Sequence, residues 1–284
     1  MKSLLLTGIL ALTPSTSADC TRAFLTNATT AYVAAQTTGK PSTLAALLSP
    51  HLNYTESDKT VDIATGVLTK AMTIDHALSL HDPARCATFT ELIVTNPAGP
   101  YVIGTRMVFD PTELKATLIE TIATKPGDWA FNATGYLHWT SLESWPPIPL
   151  AQQLPAWALQ SAADAYFTRF NTPSLEPPFS TPCARLEGGA YTDARATGAN
   201  TCGLGLPSNL TVVNRRYVVD EEMGAVTIFL GFPGLDREVR GKPMADAHTF
   251  RVERGGIRYI HTVTTCEHAG CGMNGTTGVE MPGN

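Results

Sequence analysis

The sequence predicts an α+β fold of two tandem cone-shaped modules, each with helices packed on a curved antiparallel sheet. One observation is that short words recur in the same order in both halves. Ala31-Tyr32-Val33 answers to Ala165-Tyr166-Phe167, and Tyr54-Thr55-Glu56 to Tyr191-Thr192-Asp193. Arg106 to Asp110 then answers to Arg216 to Asp220, and Tyr136-Leu137-His138 to Tyr259-Ile260-His261. The repeat is too long for a solenoid, whose periods run roughly 20–50 residues, so it reads as a duplicated domain. The other observation is that, in each half, segments of helical period precede runs rich in β-branched and aromatic residues.

Residues 1–18 have the form of a signal peptide. Lys2 is followed by the apolar run Leu4 to Leu12 and the small residues Thr16-Ser17-Ala18. The run is too short to cross a bilayer, which takes about 20 residues. The first module is assigned 19–143. Phe24, Ala28, Ala31, Tyr32 and Ala35 make a helical stripe over 22–37, which Gly39-Lys40-Pro41 ends. A second helix is expected over 43–48, stopped by Ser49-Pro50, and a third over 67–80. Strands are expected over 89–95, 101–109, 116–123 and 129–139.

Residues 144–151 form a stiff linker, because Pro146, Pro147 and Pro149 forbid helix and central strand alike. The second module is assigned 152–284: a helix to Phe170, a proline-rich loop over 172–182, and strands over 210–219, 225–230, 247–254 and 257–264. The copies are expected to differ in two places. The first carries an insertion, with the third helix, before its strands; the second has a longer hairpin connection between Gly231 and Pro243.

A net charge of −5 disfavours nucleic acid as a partner, since that needs a basic face. With 43% hydrophobic and 16% charged residues the chain has enough apolar side chains for a buried core. Asn27, Asn53, Asn132, Asn209 and Asn274 each begin a glycosylation sequon. The six cysteines are an even number, which suits an oxidising compartment. They allow 15 pairings; the favoured one joins Cys20 to Cys86, Cys183 to Cys202 and Cys266 to Cys271. Entry into the secretory pathway is expected, with the product secreted or vesicular and without a membrane span.

No nucleophile elbow, zinc helix, P-loop or dinucleotide fingerprint is present, so neither a metal nor another cofactor is expected. Cys266 to Cys271, with Glu267 and His268 between, has metal-site residue types but reads as a disulfide-closed turn. The candidate catalytic groups are Tyr136 with His138 and Tyr259 with His261. If each pair lies on a strand, residues two apart share a face, setting a phenol beside an imidazole that titrates near neutrality. The alternative is half-buried aromatic positions satisfied by backbone groups.

Tyr54 and Tyr191 are candidate substrate contacts, or else cap the helix-to-strand corners, and Trp139 is a third candidate contact. Arg106 with Asp110 and Arg216 with Asp220 read as cross-strand charge pairs on the outer surface, and His76 and His81 as surface residues. Trp139, Trp145 and Trp157 flank the linker and are expected to pack between the modules.

Cys20 before a helix, the Tyr54-Thr55-Glu56 corner, the run Arg185-Leu186-Glu187-Gly188-Gly189-Ala190-Tyr191-Thr192 and the terminal Cys266/Cys271 pair resemble a fungal secreted family. Its modules are similar to the SnoaL-like cone shared with nuclear transport factor two and ketosteroid isomerase. In length and layout the chain resembles that family's hetero-Diels–Alderases of tropolone–sesquiterpenoid biosynthesis. The resemblance implies dehydration of a hydroxymethyl-tropolone to an ortho-quinone methide, then cycloaddition with a humulene-type olefin to a dihydropyran. It carries over no catalytic residue. The partners expected are hydrophobic small-molecule substrates and further copies of the chain as a homo-oligomer. The competing expectation is a secreted, non-catalytic binder of hydrophobic small molecules.

Overall fold

The computed structural model describes residues 20–236, 238–239 and 241–271, so the signal-peptide assignment and the Asn274 sequon lie outside the described residues. The architecture is α+β, with two six-stranded sheets and three α-helices among the described residues. In the first module, α1 (Arg22–Thr38) is followed by β1 (Leu48–Glu56), β2 (Lys59–Thr60), β3 (His76–Asp82), β4 (Ala87–Val94), β5 (Tyr101–Phe109) and β6 (Ala116–Thr124). Then α2 (Ala133–Leu142) leads into the linker. The second module repeats the plan with α3 (Ala156–Asn171), β7 (Phe179–Glu187), β8 (Ala190–Tyr191), β9 (Val213–Asp220), β10 (Ala225–Pro233), β11 (Pro243–Glu253) and β12 (Gly256–Thr264).

The sheets have the orders β2-β1-β6-β5-β4-β3 and β8-β7-β12-β11-β10-β9, the same topology twice. They are mixed rather than wholly antiparallel, because β1 runs parallel to β6 and β7 parallel to β12. Each sheet buries one face on its own helix. The stripe Leu25, Ala28, Tyr32 and Ala35 of α1, spaced at helical intervals, packs with Ile103, Met107 and Ile119. Its counterpart on α3 is Leu159, Ala163, Tyr166, Phe167 and Phe170, packed with Ile228, Phe250 and Ile260. The opposite faces close on each other. Leu80, Phe89, Ile93 and Val102 of the first sheet share a core with Val218, Phe229, Ala247 and Val263 of the second. Phe89 and Phe229 meet edge to face with centroids 6.0 Å apart.

Strand register shows which residues correspond. Asp82 and Asp220 end equivalent strands, β3 and β9, and make reciprocal bonds across the interface. Val219 N donates to Asp82 Oδ2 and His81 N donates to Asp220 Oδ2, each at 2.8 Å. Each aspartate also accepts from the residue three further on, Arg85 and Met223, at 3.0 Å. Buried carboxylates are tolerated here because their oxygens are occupied by donors and because Arg22 and Arg85 pair with them. The duplication is therefore real, but only the Tyr32/Tyr166 echo marks equivalent positions. Tyr54 lies on β1 and Tyr191 on β8, Arg106 on β5 and Arg216 on β9, and Tyr136 on a helix while Tyr259 lies on a strand.

Several expectations are corrected. The segment 129–139 is not a strand: α2 begins at Ala133, capped by Asn132, whose side chain accepts from Gly135 N at 2.9 Å. The expected third helix is a single 3-10 turn, Val67–Thr69, followed by β3. The connection 57–75 is no insertion, since its counterpart 188–212 is longer. The longer β10–β11 connection in the second module does occur. Arg106 pairs with Glu120 as a cross-strand neighbour, but both groups face the module interface instead of the outer surface, and Asp220 is fully buried. His81 is buried, not on the surface, and Trp157 is exposed, not packed between the modules.

The disulfides are Cys20–Cys86, Cys183–Cys202 and Cys266–Cys271. No helix among the described residues is long and apolar enough to cross a membrane. Asn27, Asn53 and Asn209 are exposed. Asn132 is a helix cap pressed against Gly189, where a carbon on Gly189 would lie 2.4 Å from the Asn132 carbonyl oxygen. Glycopeptide mass spectrometry of the protein produced in a glycosylating secretory host is expected to find sugar at Asn27, Asn53 and Asn209 and none at Asn132.

Candidate functional site

The second module holds a cavity of 960 Å³ between α3, the sheet and the connection 192–210. Alternation along β11 sends Asp246 and His248 to the same face, the one toward α3. Register sets Thr264 opposite Asp246 and Thr262 opposite His248. All four line the cavity. Asp246 Oδ1 lies 2.5 Å from His248 Nδ1, and Thr264 Oγ1 donates to Asp246 Oδ2 at 2.5 Å. The aspartate is fully buried and the histidine nearly so. With Nδ1 held by a carboxylate, His248 keeps one tautomer and orientation, and its Nε2 has no hydrogen-bond partner among the described residues. This is the arrangement of an oriented imidazole acid–base.

The rest of the polar wall comes from α3 and β7. Tyr166 of α3 lines the cavity with its ring centroid 5.8 Å from that of His248. Burial raises the Tyr166 phenol well above its ordinary range, against the pull of the nearby Arg185 cation, so it stays protonated as a donor. Arg185, 3% exposed, donates Nη1 to Cys202 O at 2.9 Å and Nη2 to Leu204 O at 2.6 Å. Its Nε is 3.0 Å from Glu187 Oε1. These contacts bind the connection 192–210 to the sheet and fix the Arg185–Glu187 ion pair at the cavity wall. Apolar side chains stand among these polar groups: Phe170, its ring centroid 5.0 Å from that of Tyr166, Phe232, 6.3 Å from that of His248, and Leu206, Leu210 and Leu235.

The first module lacks this chemistry. By strand register Tyr54 stands where Arg185 does, Ile103 where Asp246 does, Thr105 where His248 does and Ala123 where Thr264 does. Its Tyr32 hydroxyl meets Thr105 Oγ1 at 2.6 Å. The connection 57–75 turns inward, and Val67, Leu68 and Met72 join the core with Tyr32 and Tyr54. Gln36 Nε2 donates to Val67 O and Lys70 O at 3.1 and 2.9 Å, holding that segment down. In the second module Phe170 occupies the Gln36 position, and the connection stands off to form the cavity's outer wall.

The residues expected to be catalytic lie elsewhere. His261 is fully buried between the modules, with Nε2 2.7 Å from Glu143 Oε2 and Nδ1 3.1 Å from Glu91 Oε1. Tyr136 does meet His261, but across the interface: its hydroxyl donates to Glu91 Oε2 at 2.7 Å. Trp145 Nε1 donates to Glu143 Oε2 at 2.9 Å. Burial alone would push the His261 pKa down, but the Glu143 and Glu91 carboxylates outweigh it and hold the value up at about 10. Burial likewise opposes ionisation of Glu91, and His261 with the Tyr136 hydroxyl holds its carboxyl below the usual range. The set is a sealed carboxylate–imidazolium–carboxylate stack without access for substrate. Tyr259 stacks on Trp145, and His138 is exposed on α2 against Trp139. Neither lies at the cavity.

Of the expected substrate contacts, Tyr191 lines the cavity. Trp139 backs it, stacked with centroids 4.9 Å apart and 7° between planes. Tyr54 is buried in the first module's core and donates to Glu56 Oε1 at 2.7 Å. Asp246, His248, Tyr166, Arg185 and Trp129 were not among the site residues expected from the sequence. The signal for the dyad was present, as Asp-x-His on a strand puts both groups on one face, but the expected strand began one residue too late, at Ala247. Among the described residues no cluster of histidine, cysteine or acidic side chains has the arrangement of a metal site.

Residues 152–264 match the model of a domain of unknown function, DUF8021. The match spans the second module from before α3 to the end of β12 and so contains the dyad. No curated protein matches the chain. Among solved structures, the crystal structure of a DUF4783 family protein (BF1468) from Bacteroides fragilis YCH46 is similar at 19% identity, over 33% of this chain and 96% of that one. Its TM-score of 0.25 is too low to define the fold.

Proposed function

We propose that the second module's cavity is the site of an enzyme acting by acid–base chemistry on an oxygenated, largely apolar small molecule. The observation that carries this is the Asp246–His248 dyad, found in the open copy and replaced by Ile103 and Thr105 in the filled one. The mixed lining supports the substrate class, since the polar groups of His248, Tyr166 and Arg185 stand among apolar side chains such as Phe170, Phe232 and Leu210. The volume lies at the upper end of small-molecule pockets, roughly 300–1,000 Å³. Each module is read as a SnoaL-like cone.

The specific reaction proposed is the hetero-Diels–Alder joining of a tropolone ortho-quinone methide to a humulene-type olefin. His248 Nε2 takes the proton of the tropolone hydroxyl and returns one to the hydroxymethyl oxygen, which leaves as water. Such proton transfer contributes typically 10²–10⁴-fold. Tyr166 and Arg185 stabilise the tropolone oxygens as charge shifts. The cycloaddition then forms one C–C and one C–O bond with no further proton, and holding both partners in place lowers the barrier by up to ~7–11 kcal/mol. The apolar part of the lining also fits the second reading, a secreted binder without catalysis.

The test is incubation of purified protein with a hydroxymethyl-tropolone and humulene. Faster adduct formation with a single stereochemical outcome is expected. Equal rate and product mixture with and without protein, alongside saturable ligand binding, would establish the binder instead.

A further inference from the structure

The first module also supplies part of the second module's cavity. Trp129, in the segment between β6 and α2, lines it. That segment is fastened to the second module at three points. Asn132 N donates to Gly188 O at 2.6 Å, Cys266 N to Asp128 Oδ1 at 2.7 Å and Gly270 N to Gly127 O at 2.6 Å. The β7–β8 hairpin can approach so closely only because its turn is Gly188-Gly189. Both have positive φ, +61° and +136°, and a Cβ on Gly188 would lie 2.3 Å from the Trp129 carbonyl oxygen. The same module provides Trp139, which backs Tyr191 at the cavity's edge.

We infer that Trp129 is a ligand-contacting, specificity-determining residue, an indole wall donated by the first module against which the apolar part of the ligand packs. The duplication then has a functional reason, since the filled copy completes the open copy's site. This rests on reading the cavity as a small-molecule site, and the two can fail separately.

The test is titration of the full chain with 1-aminoanthracene, a flat and mostly apolar fluorophore. The wild type is expected to bind saturably, with energy transfer from tryptophan. W129A is expected to lower affinity about tenfold, the scale of losing one aromatic contact, with an unchanged unfolding midpoint. W129F is expected to retain affinity within a fewfold while energy transfer falls to what Trp139, at the cavity's edge, still supplies, whereas W157F, at an exposed position, keeps it. Wild-type affinity in W129A overturns the inference and leaves the cavity reading intact. If W129A does not fold, undiminished energy transfer in W129F overturns it. Absence of saturable binding by the wild type overturns both.

Discussion

Replacing His261 by leucine is expected to destabilise the folded protein by about 3–5 kcal/mol at neutral pH, the usual cost of removing one partner from a buried ion pair. The loss is large because Glu91 and Glu143 would be left facing each other, both buried, with no cation between them. The pH dependence of stability follows from the same stack. His261 has its pKa raised from an ordinary value near 6.5 to about 10. Its contribution is therefore complete below about pH 6.5 and is lost as pH rises through 10, a fall on the order of 5 kcal/mol.

Glu91 is shifted the other way, so its contribution is present above about pH 4.5 and is lost as pH falls through its lowered folded value. Stability should peak between these limits, in the mildly acidic range. In H261L the alkaline decline should vanish, and acidification should stabilise the variant, since protonating either carboxylate relieves the repulsion. Urea unfolding between about pH 2 and 10 measures both limbs. A wild type with no decline between pH 7 and 10 would contradict the imidazolium assignment.

Asp246→Asn is expected to lower turnover by about 10²–10⁴-fold while ligand affinity changes only a fewfold. The asparagine fills the same space but supplies no carboxylate to hold Nδ1–H, so His248 is free to take the other tautomer and lose its accepting Nε2. Thr264 keeps its place through the strand ladder, which separates loss of orientation from loss of fold. His138→Ala, on the exposed face of α2, should leave turnover unchanged. Steady-state rates for both variants, with affinity measured separately, check this. Equal losses in the two would contradict the placement of the chemistry on β11.

The duplication, the order of helix before sheet and most strands were legible because they rest on composition and period. Tyr101–Phe109 is a strand over the very residues its β-branched content marks out. What was not legible is register. Tyr136-Leu137-His138 and Tyr259-Ile260-His261 share letters, yet the ladder sets Glu120 where His261 lies, and the first word sits on a helix. The helix was hidden by its aromatic content, though Asn132 as a cap and Ala133, Tyr136 and Thr140 at helical spacing were both in view. The buried stack of Glu91, Glu143 and His261 could not have been read from any spacing. Its members come from β4, the end of α2 and β12, and only the face-to-face packing of the two sheets brings them together. The cavity likewise depends on a difference between copies, an inward connection at 57–75 and an outward one at 188–212, which only the correct register exposes.

The most direct measurement is a crystal structure of the protein saturated with the hydroxymethyl-tropolone. The expected result is ligand density in the second module's cavity, with a tropolone oxygen at hydrogen-bond distance, roughly 2.6–3.2 Å, from His248 Nε2. Density elsewhere, with this cavity empty, would contradict the account.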